Sequence, residues 1–426
     1  MKELAKSWLF YLPMAVFAVY YAFQNIAGIY ILPKDLVLLF IGISVVGALS
    51  YILAFRLVSE AWLSKIRLVQ LSRRKVEFTA FAVVVVYVGL LIIVMGTSDK
   101  VALIEAFRGA PAQELQLLRE TLLRTRSGAW QSLNYAYAIL SNALMPLAVT
   151  YAYHNRRAWR HVALGILVVG LSLTLAKGAI GSIAFPLLAL FLMERRFRAA
   201  ILPLIMLGAV IASMYFLSSG RFGALIGDTP PALQQAQQAQ SAPLEPQVEN
   251  ASAVPAAYNL LQRDDQLSLA VNRIVWIPYV TAIDWLRYQR DILDGDFVLG
   301  RSIKVIAVAL GMEPLLVERE VATMQWGQNE AGTASSNALF LVDAWLNFGW
   351  IGVILYAALF AVTIKLLIST KSKPLIASAV VPVWTACFVA LPPIFLSGGL
   401  AFFVVAALLS APRSEVANVA RVTAKS

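Results

Sequence analysis

Histidine and cysteine are nearly absent from this chain, so carboxylates and guanidinium groups must carry any chemistry it performs. The two histidines, His154 and His161, share the short basic run HNRRAWRH, and the one cysteine, Cys387, lies in an apolar stretch. A lone cysteine leaves no intramolecular disulfide. No HExxH, GxxxxGKS/T or GxSxG pattern occurs. Arginine and aspartate concentrate instead in RDDQLSLAVNRIVWIPYVTAIDWLRYQRDILDGDFVLGRS, which holds Arg263, Asp264, Asp265, Arg273, Asp284, Arg287, Arg290, Asp291 and Arg301. Pro278 can open a helix at its first turn. On that helix Asp284, Arg287 and Asp291 stand at i, i+3 and i+7 and share a face. Such a face could hold a diphosphate, because guanidinium matches phosphate oxygens in pairs. The same spacing equally describes ordinary intrahelical ion pairs.

Two further basic residues, Lys177 in LAKGAIGS and Arg221 in SSGR, border apolar segments. An ionisable group at membrane depth is a functional candidate by default, although Lys177 also suits snorkelling and Arg221 a helix anchor. Trp276, Tyr279, Trp285, Tyr288, Trp326, Trp345 and Trp350 could stack on sugar rings or mark a membrane interface.

These residues must be positioned by helices in a bilayer. The chain is 60% hydrophobic and only 14% charged, with a mean hydropathy of +0.73. A soluble domain carries roughly 25% charged residues. The apolar residues fall in continuous runs rather than alternating ones, which predicts membrane-spanning helices and excludes a barrel. Ten runs read as spans: 8–26, 36–55, 78–95, 130–153, 162–175, 180–193, 201–217, 350–368, 375–391 and 394–409. The short fifth and sixth could form one broken hairpin meeting at Ala176-Lys177-Gly178. The first span follows Lys2 and Lys6 without a small-residue cleavage site and reads as a retained helix. The predicted fold is therefore all-α and polytopic.

With the N-terminus inside and each span reversing direction, 20 of the 35 basic residues fall inside against 5 acids. The inside then nets about +15 and the outside about −4, which together give the net charge of +11. All the short basic loops lie on one side, as the positive-inside rule requires. The basic balance thus needs no nucleic-acid partner; the partner it implies is the lipid bilayer. Both histidines fall inside, so a zinc site on the outer face is not expected.

The chain divides into N-terminal membrane helices (1–217), one large outer loop (218–349) and C-terminal membrane helices with a tail (350–426). In the first part, the outer segment 97–129 carries Leu115, Leu118 and Leu122 at helical spacing and reads as an amphipathic helix at the interface. The Pro-, Ala- and Gln-rich stretch 229–257 reads as a flexible tether, and 260–347 as the folded part of the loop. No repeat of fixed period and no paired broken helices point to an inverted-repeat transporter.

The stretch GQNEAGTASSNALFLVDAWLNFGWIGVILYAALFAVTI runs from a polar loop through Asn337 and Asp343 to Asn347-Phe348-Gly349, with a second glycine at 352. It resembles the element that leads from the large loop back into the membrane in bacterial O-antigen and exopolysaccharide repeat-unit polymerases of the Wzy type. Gly220-Arg221 after the span before the loop, the break at Lys177-Gly178, and the loop element running from near Arg273 to LGRS resemble the same family. The ordered resemblance covers roughly 162–368.

The resemblance implies a metal-independent, cofactor-free membrane glycosyltransferase similar to the GT-C type, with both termini cytoplasmic and the large loop periplasmic in the bacterial inner membrane. Such enzymes join lipid-linked oligosaccharides, with undecaprenyl diphosphate as the leaving group, beside a flippase and a chain-length regulator of the same pathway. For that chemistry Lys177, Arg221, Arg273, Arg287, Arg290, Arg301 and Arg319 are candidates to stabilise the diphosphate, with Asn337 as a further substrate contact. Asp284, Glu318 and Asp343 are the candidate bases for a sugar hydroxyl. The related O-antigen ligases carry a histidine in the large loop. Its absence here favours polymerase over ligase. A flippase or other transporter is the alternative from another class.

Overall fold

The computed structural model describes residues 4–66, 71–122, 126, 128–176, 178–218, 258, 260–261, 268, 271–326 and 335–410. Lys177, Arg221 and the 229–257 stretch lie outside them. The described residues form helices and turns without a strand. Among the described residues five helices are long and apolar enough to cross a membrane: Trp8–Ile31, Lys34–Leu57, Arg73–Gly96, Phe197–Leu217 and Phe340–Ser369. Three shorter apolar helices, Arg160–Ser172, Gly181–Met193 and Lys373–Ala386, pack among them.

Proline explains several departures from a plain count of spans. Wide π turns occur at Val16–Tyr20, Leu140–Leu144 and Asn272–Trp276. Each lies within a few residues of a proline: Pro13, Pro146 and Pro278 respectively. Proline lacks an amide hydrogen and its ring crowds the carbonyl one turn back, and the turns before Pro146 and Pro278 widen to relieve that clash; Pro13 precedes its π turn and does not explain it this way. Pro278 therefore does not start a helix from a loop. The π turn carries helix Ile277–Asp291 backwards to Asn272. The apolar run 394–409 divides at Gly398-Gly399 into helices Leu391–Leu396 and Leu400–Leu408. Gly399 sits at φ +81°, and a Cβ there would lie 2.2 Å from that of Ala143.

Among the described residues two large apolar cores and one small cluster result. One joins the first two helices to helix Ile277–Asp291, helix Phe340–Ser369 and the C-terminal pieces. The other joins helix Arg73–Gly96 to the helices between 140 and 200. Trp276 and Trp285 are fully buried in the first core, so this part of the 260–347 region packs with the membrane helices. Helix Ala112–Thr121 forms, and its apolar residues Leu115 and Leu122 are buried. Leu115 packs with Ala102, Ala106, Leu175 and Leu217, while Leu117 on the same helix is exposed.

The basic turns gather at one end. Arg73 donates to Asn155 at 3.4 Å, Arg157 pairs with Glu77, and His154 pairs with Glu194. The other end brings Asp35, before helix 34–57 has made its first turn, against Arg290.

Candidate active site at a helix kink

Helix Phe340–Ser369 is broken at the Asn-Phe-Gly element. Phe348 has φ −142° and ψ 15°, and Gly349 has φ 61° and ψ −145°. The second pair lies where only glycine is comfortable. Gly352 answers a different need, because a Cβ there would stand 2.2 Å from the Ala344 carbonyl oxygen. Both glycines of the motif therefore have steric reasons.

The break releases two carbonyls from the helix. Leu346 O accepts from Val298 N at 2.9 Å, and Asn347 O accepts from Leu299 N at 3.0 Å. The LGRS turn is thus fastened onto the kink. Asn347, fully buried, completes the join. Its Oδ1 accepts from Gly300 N and from Ser302 Oγ, each at 3.0 Å. Its Nδ2 donates to Asp343 O at 2.8 Å and to Asp343 Oδ1 at 3.0 Å. All four bonding positions of the amide are in use.

Asp343 is the residue this arrangement holds. It is 1% exposed. Oδ1 is held by Asn347 and lies 3.5 Å from Ser302 Oγ. Oδ2 has no hydrogen-bond partner among the described residues, nor has Ser336 Oγ. A buried carboxylate oxygen without a donor is costly, so its presence asks for a reason. Glu318 lies within electrostatic reach of Asp343, and its backbone oxygen accepts from Ser336 N at 2.8 Å. Burial lifts the Glu318 carboxyl above its ordinary range, opposed by its backbone hydrogen bond and by Arg319.

The third candidate base stands apart in its bonding. Asp284 is buried and accepts from Tyr258 OH and, at 2.9 Å, from Gln325 Nε2. Burial raises its pKa, while those two donors and Arg287 oppose the rise. The expected shared face of Asp284, Arg287 and Asp291 therefore splits. Asp284 points into the protein, whereas Arg287 bonds Asp291 on the surface at 3.2 Å.

The cations divide in the same way. Arg290 bridges Asp291 and Asp35, each at 2.7 Å, and with Arg287 it forms a surface network. Its hydrogen bond holds the Asp291 carboxyl below the ordinary range, with Arg287 adding to the effect. Arg301 belongs to the kink region. Its Nε donates to Glu313 O at 3.0 Å and its own carbonyl accepts from Leu315 N at 2.9 Å. Arg273, Arg319 and Asn337 are exposed.

The structure thus brings Asp343, Glu318 and Arg301 into one region and leaves Arg287 and Arg290 in another. Residue-type reasoning missed Asn347 and Ser302 as parts of the site, although both lie inside the NFG and LGRS motifs. Among the described residues no group of three or more His, Cys, Asp or Glu could hold a metal. No family model, no curated protein and no solved structure matches this chain, so the chemistry of the site is argued from its own atoms.

Proposed function

We propose that this chain is a membrane glycosyltransferase that polymerises undecaprenyl-diphosphate-linked oligosaccharide repeats at the outer face of a bacterial inner membrane. The observation that carries the reading is Asp343, with Oδ1 fixed by Asn347 and Oδ2 left without a donor. A general base needs one oxygen held and one open. In the proposed step, a hydroxyl oxygen of the acceptor sugar attacks the anomeric carbon of the donor. The new C–O bond forms as the bond to the diphosphate breaks. Undecaprenyl diphosphate leaves with the electron pair, and the hydroxyl proton passes to Asp343 Oδ2.

The leaving group gains negative charge, which preorganised guanidinium groups stabilise. Arg301 and Arg319 flank the site in the chain, and Arg273 is exposed for the same task. Arg287 and Arg290 already neutralise Asp291 and Asp35, which counts against them as diphosphate ligands. The reading requires the acceptor sugar to enter where neighbouring side chains now close over Oδ2. It also draws on the resemblance of the NFG and LGRS elements to repeat-unit polymerases. The five long apolar helices support the membrane setting. Purified chain supplied with lipid-linked repeats in EDTA should yield a ladder of longer glycans. Unchanged substrate, in conditions where a known polymerase elongates, would overturn the proposal.

A further inference from the structure

Helix Arg73–Gly96 and helix Arg160–Ser172 lie side by side, with Trp159 set edge-on to Phe81 at 5.9 Å. Arg74, Phe78, Phe81 and Val85 stand at i, i+4, i+7 and i+11, so they form one stripe. Phe78 is 73% exposed, and Phe81 and Val85 are also exposed. On the neighbouring helix Val162, 65% exposed, and Val169 continue the apolar surface. The stripe is thus apolar for about two turns and ends in Arg74, while Arg160, next to Trp159 in the chain, lies over the Tyr153 ring and donates to His161 at 3.0 Å.

This end of the molecule holds more positive charge than its own acids can use. Glu77 is occupied by Arg157, and Glu194 by His154 and Arg196. Arg74, Lys75, Arg160, Arg195 and Arg198 have no carboxylate partner among the described residues. Arg156 and Arg195 close their helices with φ of 51° and 60°, a conformation that usually selects glycine. Basic side chains occupy those places in spite of the strain.

We infer that the exposed surface where helices 73–96 and 160–172 meet binds an anionic phospholipid. Its phosphate sits under Arg74 and Arg160, and its acyl chains lie along Phe78, Phe81 and Val162. Two amide-rich helix N-termini add to the positive potential there. A cationic cap directly above an apolar stripe matches a lipid, whereas a soluble acidic protein would leave the stripe uncovered. Trp159 marks the headgroup level, as tryptophan does at membrane borders.

Native mass spectrometry of the full chain in mild detergent tests this. Phosphatidylglycerol should be retained over phosphatidylcholine. Arg74→Gln with Arg160→Gln should weaken that retention by about fivefold for each charge removed. Arg74→Lys should preserve it, and so should Arg119→Gln on helix 112–121. If the double variant fails to insert, Arg74→Gln alone decides. Equal retention of the two lipids, or unchanged retention in the Gln variants, would overturn the inference. So would displacement of the lipid by an equal concentration of inorganic phosphate, which would make the site one for free phosphate.

Discussion

Asp343 and Asp291 are the same residue in opposite circumstances. Asp291 is exposed and shared between Arg287 and Arg290. Asp343 is buried, and among the described residues it has no ion pair and one of its oxygens has no hydrogen-bond partner. The surface network satisfies its charges and has little left to offer a substrate. The kink region spends its hydrogen bonds on orienting one carboxyl and leaves half of that carboxyl unsatisfied. Arginine beside aspartate in the sequence marked the first region; a helix break marked the second. The lesson is that an unmet bonding demand is a better guide to chemistry here than a concentration of charge.

Asp343→Asn should lower elongation by roughly 10²- to 10⁴-fold while the chain still folds, since Asn keeps the shape but cannot take a proton. Asn347→Ala should reduce stability by about 2–4 kcal/mol in thermal unfolding, because it strands Gly300 N and Asp343 Oδ1 in the interior. Gly349→Ala should cost about 1–3 kcal/mol through backbone strain alone, read the same way. A loss near zero in either case would mean that the kink is adaptable and does not fix Asp343.

Asp284 gives a pH-dependent test. Its folded pKa is raised by burial, so its stabilising contribution is present below the unfolded value of about 4 and is lost as pH rises through the folded value. The stability gap between the chain and Asp284→Asn should therefore shift in favour of the variant as pH is raised from about 4. A gap that does not move with pH would contradict the assignment of burial as the dominant influence. The smallest effect belongs to the surface network, where Arg290→Ala should change stability by less than about 1 kcal/mol.

The all-helical fold and its membrane character were legible because runs of apolar residues near 20 in length have few other solutions. The kink was legible in part, since Asn-Phe-Gly followed by a second glycine already departs from a uniform helix. Its partner was not. Ser302 and Asn347 are 45 residues apart, and no local pattern reports a contact at that range. The split of Asp284 from Arg287 escaped for a subtler reason. Residues three apart on a helix differ by only about 60° around its axis, and that angle was enough to put one inside and the other outside. The π turns were hidden because proline marks a disturbed turn without saying whether the helix stops or widens.

The most direct measurement compares the chain with Asp343→Asn, both purified and supplied with lipid-linked repeat units in EDTA. The first should give a ladder of longer glycans and the second none above background, with matching thermal unfolding profiles. Equal ladders from the two proteins would contradict the claim that Asp343 Oδ2 is the base.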